Sequence, residues 1–297
     1  NYKTFAIKGA AGTGKSWIAY KMALSSVIHK EKKVLMTNKS DYLSNYFRTQ
    51  YDITNLDRLH ILSYKELLEK LNIKEKEVND SEIAPTNKYD VIIIDEAQDF
   101  NEEEAFFLRN LTLSESSEFY VFYDNEQNIY NNELDKTLDS FLIEKPPYVL
   151  TENLRNTRNI YEWVKIKTKF ARQTYTNQID GPDPQCLVFS SKNQTCRYIN
   201  NTINTLIKKD EVPIQYIKLI IDDEIYQYFD NVEWNFKCEK NNYSINSKTI
   251  NIIKTSDFKG LESNVIIYVH KYNSDKNFSY VGLTRARFYL YDIQLKE

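Results

Sequence analysis

Short apolar runs and longer amphipathic runs alternate along most of the chain. Residues 3–8 and 89–100 have the apolar character of buried strands, and residues 16–30 show the apolar spacing of an amphipathic helix. Strands that alternate with helices are typical of parallel sheets with crossover helices. The alternation is interrupted by a turn-rich stretch near its middle, so we expect two α/β domains, at residues 1–145 and 146–297.

The composition is that of a soluble globular protein. The 297 residues are 41% hydrophobic and 27% charged. No apolar run approaches the roughly 20 residues of a membrane helix. The cysteines, Cys186, Cys196 and Cys238, are scattered without a CxxC pair, which argues against disulfides and against zinc. We therefore expect no membrane partner and a cytoplasmic location. A net charge of −3 means that any nucleic-acid site is a local groove.

The segment GAAGTGKS at residues 9–16 fits the phosphate-loop pattern G-x-x-x-x-G-K-[ST]. It lies between a predicted strand and a predicted helix, which is the context that this motif requires. Glycines in such a loop let backbone N–H groups approach phosphates closely. Lys15 is expected to reach the β- and γ-phosphates, and Ser16 to ligate Mg²⁺. The residues expected to bind the nucleotide here are Gly12, Thr13, Gly14, Lys15 and Ser16.

A strand that ends in acids provides the second part of the nucleotide chemistry. Four apolar residues precede Asp95 in VIIIDEAQDF, which predicts a central strand that delivers this acid to the carboxyl edge of the sheet. Asp95 is expected to hold Mg²⁺, and Glu96 to orient and deprotonate the attacking water. Together the two motifs predict an enzyme that hydrolyses ATP with Mg²⁺ as its cofactor.

The DEAQD motif resembles that of superfamily 1 helicases of the UvrD/Rep type. Further segments resemble the other motifs of that family in the expected order, namely VLMTNKSDYLSNYF, HILSYKELL, FYVFYDNEQNIY, LTENLRNTRNI, IKTSDFKGLESNVII and YVGLTRAR. The resemblance implies two tandem RecA-like P-loop domains with parallel sheets and crossover helices. It also implies a compact form, because the spacing leaves no room for the large 1B and 2B insertions of the family.

The resemblance assigns catalytic roles to residues in both halves of the chain. Gln127 matches the γ-phosphate sensor of the family, Arg155 its arginine finger and Arg285 its second phosphate-contacting arginine. In such a motor, the phosphate loop and the two arginines are expected to grip the terminal phosphate, and hydrolysis releases them. The expected catalytic residues are Lys15, Glu96, Gln127, Arg155 and Arg285.

Other matched positions concern the ribose and the nucleic acid. Gly260 and Glu262 lie in the motif that holds the nucleotide, where Glu262 would contact the ribose. Tyr64, like Tyr46 and Tyr130, is a candidate for stacking on a base. The residues expected to contact a nucleic-acid strand are Thr37, Asn38, Tyr64 and Thr255. The predicted function is a nucleic-acid-dependent ATPase, as a DNA translocase or helicase module on single-stranded DNA.

Departures from the family pattern leave alternatives open. Leu154 stands where the family has an adenine-stacking tyrosine, and the third motif continues into the polar run NNELDK. One alternative is an ATP-gated sensor that regulates an attached or partner nuclease, as in phage defence, without processive unwinding. Another is an RNA-directed role, as in the helicase-like regions of Schlafen-type proteins. Because the chain lacks an initiator methionine and the upstream glutamine segment of the family, we expect a longer polypeptide with an N-terminal or partner nuclease domain.

Overall fold

The computed structural model describes residues 3–50, 56–80, 82–130, 133–143, 145–170, 174–175, 179–240 and 248–296. The chain divides into two compact units, Asn1–Thr151 and Glu152–Glu297. Each unit is an α/β domain built around a parallel sheet. Within the described ranges, none of the helices is long and apolar enough to cross a membrane.

The first unit alternates strands and helices as the sequence predicts. Its strands are β1 (Lys3–Gly9), β2 (Val34–Asn38), β3 (Leu59–Ser63), β4 (Val91–Ile94), β5 (Glu118–Tyr123) and β6 (Tyr148–Leu150). Its helices are α1 (Lys15–Lys30), α2 (Asp41–Gln50), α3 (Tyr64–Leu71), α4 (Glu102–Asn110) and α5 (Leu134–Ser140). Among the described residues, these strands form a parallel sheet in the order β3-β2-β4-β5-β1-β6.

Local sequence explains where these elements begin. Strand β4 is apolar throughout and buried on both faces, as a central strand of a parallel sheet must be. Helices α3 and α4 begin with capping boxes, in which Ser63 pairs with Glu66 and Asn101 pairs with Glu104. These caps satisfy backbone N–H groups that would otherwise lack a partner, so each helix starts at a defined residue.

Strand β6 lies close to the predicted domain boundary at residues 145 and 146. It pairs in parallel with β1, with Ile7 opposite Tyr148, and so completes the first sheet. The first compact unit accordingly extends to Thr151.

The second unit repeats the same architecture. Its strands are β7 (Glu152–Asn153), β8 (Thr174–Tyr175), β9 (Gln185–Phe189), β10 (Ile217–Ile221), β11 (Cys238–Lys240), β12 (Ile250–Lys254), β13 (Ser263–Lys271) and β14 (Ala286–Leu295). Its helices are α6 (Arg158–Thr168), α7 (Lys192–Lys208) and α8 (Lys276–Leu283). In the described part, the main sheet has the parallel order β11-β12-β10-β13-β14-β9, and β7 pairs with β8. The predicted class, two α/β domains with parallel sheets and crossover helices, is confirmed.

The sequence pattern predicts helices over residues 223–230 and 278–287 of the second unit, and the structure differs from both predictions. The helix expected over residues 223–230 is a single 3₁₀ turn at Tyr226–Phe229. The helix expected over residues 278–287 is α8, which ends at Leu283 because the chain then enters β14. Helix α5 and strand β11 have no counterpart in the sequence prediction, since their polar segments carry no clear apolar period.

Candidate functional site

The phosphate loop joins β1 to α1 in the first unit. Gly12 and Gly14 adopt left-handed backbone angles, with φ of 81° and 85°, which glycine accepts without steric cost. Helix α1 starts at Lys15 with no side-chain cap and no acidic residue in its first turn. The positive end of the helix dipole is therefore not compensated by an acidic side chain of the helix and can attract an anion, as in other phosphate loops.

The Lys15 ammonium is buried inside this loop. Its Nζ donates to the carbonyl oxygens of Gly9 at 2.6 Å and Ala10 at 3.1 Å, and lies 3.9 Å from Asp124 Oδ2. The Thr13 hydroxyl also donates to Ala10 O at 2.8 Å. The side chain thus carries its charge at the position where the loop would receive a phosphate.

Asp95 and Glu96 follow the last residue of β4, as predicted. Asp95 is completely buried, and its Oδ1 accepts a hydrogen bond from the Glu96 N–H at 3.1 Å. Burial and the adjacent Glu96 carboxylate raise the pKa of Asp95 to about 7, while Ser16 and Lys15 oppose the shift. Glu96 itself has φ of 53°, a left-handed angle that costs a non-glycine residue on the order of 1 kcal/mol. Such strain is common in functional loops.

Gln98 and Asp124 connect the two acid-bearing strand ends. Gln98 Nε2 donates to Glu96 Oε2 at 2.5 Å, and Gln98 Oε1 accepts from the Asp124 N–H at 3.0 Å. Asp124 Oδ2 accepts from Gln127 Nε2 at 2.6 Å. Burial raises the pKa of Asp124 to about 7, and the nearby Lys15 ammonium opposes that rise. Lys15, Glu96 and Gln127 are therefore linked by two residues that sequence reasoning did not assign.

A signal for Asp124 and Gln98 was present in the sequence. Strands β4 and β5 are adjacent and parallel, so the residues after their carboxyl ends meet at one edge of the sheet. Asp124 directly follows β5, and Gln98 follows Asp95 by three positions. The pairing of the two strands, rather than either motif alone, brings these residues together.

The residues at this edge fit a Mg²⁺–nucleotide complex. Mg²⁺ is usually held by one or two carboxylates together with phosphate oxygens and waters, rather than by a complete protein cage. The Ser16 hydroxyl and the Asp95 carboxylate supply such a partial set, and no group of three or more His, Cys, Asp or Glu suited to a metal occurs in the described residues. The raised pKa values of Asp95 and Asp124 also reflect buried negative charge that a divalent cation would compensate.

In the second unit, Arg155 and Glu262 form a tight ion pair. Arg155 Nε donates to Glu262 Oε2 at 2.5 Å, and Arg287 Nε lies 3.7 Å from Glu262 Oε1. Burial alone would raise the pKa of Glu262, but Arg155, Arg287 and Arg285 outweigh it and hold the pKa below its ordinary value. Two residues predicted for different tasks, an arginine finger and a ribose contact, are thus hydrogen-bonded to each other.

Arg285 lies in the short connection between α8 and β14, not in the predicted helix. Its side chain is 1% exposed. The guanidinium donates to Val281 O at 2.9 Å, Leu261 O at 3.3 Å and Thr284 Oγ1 at 3.0 Å. Gly260, two residues before Glu262, has φ of 82°, an angle that favours glycine.

The predicted nucleic-acid residues are buried. Tyr64 is 3% exposed, and its ring packs edge-on against Phe100 and Phe107 in the hydrophobic core. It offers no open face to a base, so the prediction of Tyr64 as a stacking platform is wrong. The physical reason is that Tyr64 starts α3 on the side of the helix that faces the sheet, where the apolar period also places Leu67 and Leu68.

Thr37, Asn38 and Thr255 also differ from the expectation of strand-contacting side chains. Thr37 and Thr255 are buried at the ends of β2 and β12. Asn38 Oδ1 accepts from the Ser40 N–H at 2.8 Å, and its Nδ2 donates to Ser44 Oγ at 3.0 Å. Asn38 thus orders the start of α2. These side chains have almost no exposed surface with which to meet a nucleic acid.

Comparison with known sequences identifies the class of protein. The chain belongs to the family described as Schlafen group 3, DNA/RNA helicase domain, which matches residues 2–205. No curated protein matches the sequence.

The fold is similar to that of a viral helicase, Arterivirus nonstructural protein 10. One crystal structure of it covers 99% of this chain and 59% of its own, with a TM-score of 0.49 at 9% identity. The structure of its complex with DNA matches 99% of this chain and 61% of the helicase chain, with a TM-score of 0.50 at 10% sequence identity. At such identities the likeness concerns the fold alone, and this chain spans about three fifths of those helicase chains. The helicase-type, RecA-like fold is confirmed, while a specific UvrD/Rep relationship stays a prediction.

Proposed function

We propose that this helicase domain is a Mg²⁺-dependent ATPase that is stimulated by a nucleic-acid strand. One observation carries the proposal: Lys15 in a phosphate loop lies in the same buried polar network as the carboxyl-edge acids Asp95 and Glu96. Lys15 supplies the positive charge that binds an anionic phosphate. Cleavage of that phosphate by water requires an acid that holds the metal and a base, and Asp95 and Glu96 supply these.

The roles in hydrolysis follow from the chemistry of each side chain. Lys15 contacts the β- and γ-phosphates, and Ser16 and Asp95 hold Mg²⁺, which when bound neutralises phosphate charge. Glu96 takes a proton from the attacking water, whose oxygen bonds to the γ-phosphorus as the bond to ADP breaks. Gln127 senses the γ-phosphate through the bond network that links it to Asp124.

The second unit is proposed to supply the remaining nucleotide contacts. Arg155 acts as the arginine finger, and Arg285 as a second arginine at the terminal phosphate. Glu262 contacts the ribose, with Gly260 shaping the loop before it. The ion pair between Arg155 and Glu262 supports this proposal, because it holds the guanidinium beside the proposed ribose ligand.

The preferred strand is proposed to be single-stranded DNA, with movement along it coupled to hydrolysis in a cytoplasmic, UvrD/Rep-like motor. RNA is the alternative strand, and the family description names both polymers. Direct strand contacts by Thr37, Asn38 and Thr255 would require their side chains to become exposed.

A second candidate function is an ATP-gated sensor that controls an attached or partner nuclease without processive unwinding. The observation that favours it is the burial of Tyr64, which removes a predicted base platform. A sensor needs a nucleotide-dependent change of state, and it does not need a series of stacking positions along a strand.

Phosphate release by the purified chain tests the main proposal, measured without nucleic acid, with single-stranded DNA and with single-stranded RNA. Lys15→Ala and Glu96→Gln should abolish turnover, while the exposed matched controls Lys21→Ala and Glu103→Gln should retain it. Undiminished release from Lys15→Ala or Glu96→Gln would reject the assignment. A strand-displacement assay on the same samples separates the two functions, because turnover without displacement supports the sensor.

A further inference from the structure

A cavity of about 350 Å³ lies at the carboxyl ends of β13 and β14 in the second unit. Lys167 of α6, Ser279 of α8, and His270, Asp292 and Gln294 of the two strands all line it. The volume is within the range of small-molecule sites, and the carboxyl edge of a parallel sheet is where such sites usually lie.

This cavity is separate from the nucleotide-contacting positions of the same unit. Glu262 immediately precedes β13, whereas His270 is near the far end of that strand. Eight residues of extended chain at roughly 3.3 Å each separate the two by about 26 Å. Arg285 likewise lies at the amino end of β14. The proposed hydrolysis of ATP therefore does not account for the cavity.

A buried carboxylate forms the floor of the cavity. Asp292 Oδ1 lies 2.7 Å from His270 Nε2, and Asp292 Oδ2 accepts from Trp163 Nε1 at 3.1 Å. Burial would raise the pKa of Asp292, but the bond to His270 and the charge of Lys167 hold it below its ordinary value. The carboxylate is thus ionised and only accepts hydrogen bonds, so His270 Nε2 carries a proton.

The other imidazole nitrogen faces two oxygens. His270 Nδ1 is 2.9 Å from the Lys271 carbonyl oxygen and 2.9 Å from Ser274 Oγ. The carbonyl oxygen can only accept a hydrogen bond, whereas the Ser274 hydroxyl can donate or accept one. Ser274 Oγ lies 2.8 Å from Ser279 Oγ, and either hydroxyl can donate to the other.

The same residue types make up a hydrolytic triad, but this arrangement cannot act as one. A catalytic histidine must take a proton from the serine, which requires a free lone pair on the nitrogen that faces it. In this protein the Lys271 carbonyl oxygen occupies the same side of the His270 ring as Ser274. Asp292, His270, Ser274 and Ser279 therefore form one hydrogen-bonded chain that leads from the buried carboxylate to the cavity.

We propose that this cavity binds the phosphate group of a small molecule, either inorganic phosphate or a phosphate monoester. The hydrogen-bonded chain ends at the Ser279 hydroxyl, which can donate to a phosphate oxygen, and Lys167 and Lys276 supply positive charge from two different helices. Lys167 is oriented by the Trp163 ring, whose centre lies 4.7 Å from its Nζ. Hydroxyl and ammonium donors without a competing unpaired carboxylate are the chemistry that recognises phosphate.

Tyr272 gives the cavity a place for an organic substituent. It lines the opening, and 47% of its surface is exposed. An aromatic ring beside the phosphate subsite would pack against the carbon skeleton or ring of a monoester. A monoester such as AMP is thus expected to bind at least as well as inorganic phosphate.

Calorimetric titration with inorganic phosphate, AMP and adenosine tests this proposal. The Lys15→Ala variant is used as the background, so that phosphate-loop binding is weakened equally in all samples. Phosphate and AMP should bind, adenosine should not, and adding Lys167→Gln with Lys276→Gln should weaken binding on the order of tenfold or more. Lys165→Gln with Lys169→Gln, on the same α6 segment, is the matched control and should change little.

The outcomes separate the sources and can overturn the proposal. Equal affinity for phosphate and AMP would show that the cavity recognises the phosphate group alone. Tighter binding of AMP would identify a phosphate monoester as the preferred ligand. Absence of binding, or equal affinity in the Lys167/Lys276 and Lys165/Lys169 variants, refutes a phosphate site here. Ser279→Ala, which removes one hydroxyl only, should also weaken binding, and thermal melting of each variant verifies that it is folded.

Discussion

Gln98 donates a hydrogen bond from its side-chain nitrogen to Glu96 Oε2 over 2.5 Å, while its side-chain oxygen accepts from the Asp124 N–H at 3.0 Å. The side chain is completely buried, so both bonds are made away from solvent. It thereby fixes the proposed general base relative to the next strand of the sheet. Gln98 acts through Glu96 and is a positioning residue in the proposed hydrolysis.

Replacing Gln98 should slow catalysis more than it weakens nucleotide binding. Gln98→Met keeps the volume but removes both bonds, and misplacing a catalytic group by about 1 Å can cost on the order of a hundredfold in rate. We expect kcat for ATP to fall by about tenfold to a hundredfold, with a smaller change in KM. The acid limb of the pH–kcat profile should also move to higher pH, because ionised Glu96 loses a hydrogen bond. If the pH–kcat profile of Gln98→Met is unchanged and Gln98→Glu loses as much kcat as Gln98→Met, the role of Gln98 is purely structural.

The positions of Gln98 and Asp124 illustrate what sequence can and cannot predict. The acid strand, its buried character and the two acids at its end follow from a local pattern, and all of them are present in the structure. The bond between Gln98 and the Asp124 backbone depends instead on the pairing of β4 with β5, Ile94 opposite Val121. Register between strands is set by packing across the whole sheet, so a local motif does not encode it.

The pKa of Asp95 predicts a pH-dependent stability. Its folded-state pKa is raised to about 7, so between roughly pH 4 and pH 7 the folded state binds more protons than the unfolded state. This group therefore lowers stability as the pH rises through that window, by at most about 1.4 kcal/mol per pH unit. Asp95→Asn removes the effect and keeps an oxygen for the Glu96 N–H. We expect the variant to gain stability relative to the wild type between pH 5 and pH 8.

Urea unfolding followed by circular dichroism in the presence of a chelator measures this difference. The chelator is needed because a divalent cation would compensate the charge of Asp95. The exposed Asp139→Asn serves as the control and should show the same small difference at both pH values. If the difference in unfolding free energy between Asp95→Asn and the wild type is also independent of pH, the raised pKa of Asp95 is contradicted.

Arg155 and Arg287 both approach Glu262, which allows their roles to be separated. Arg155 is largely buried and donates to the carboxylate at 2.5 Å, whereas the Arg287 side chain is 48% exposed and lies 3.7 Å away. If Arg155 is the arginine finger, Arg155→Ala should lower kcat by about a thousandfold. Arg287→Ala removes a similar charge from the same carboxylate and should stay within about twofold, since exposed pairs contribute little. Steady-state ATPase kinetics compare the two variants. If both lose the same fraction of kcat, Arg155 only supports Glu262.

Tyr64 shows why a matched motif can place a residue wrongly. The segment HILSYKELL resembles a strand-contacting motif, yet the helical period within it directs Tyr64, Leu67 and Leu68 towards the sheet. A tyrosine is suited both to a core position and to stacking on a base, so the residue type alone does not distinguish the two roles. The side of the helix on which the tyrosine lies distinguishes them, and the start of α3 at the Ser63 cap fixes that side.

Substitutions of Tyr64 and Tyr130 should therefore have opposite effects. Tyr64→Ala removes a buried aromatic ring and should lower the free energy of unfolding by about 3 kcal/mol or more. Tyr64→Phe keeps the ring and should leave affinity for single-stranded DNA unchanged. Tyr130 is 52% exposed, so Tyr130→Ala should leave the fold stable. If Tyr130 stacks on a base, its loss should weaken binding by about 1–3 kcal/mol, measured by fluorescence anisotropy with a labelled oligonucleotide. Unchanged DNA binding by the folded Tyr130→Ala variant would exclude Tyr130 as a stacking platform.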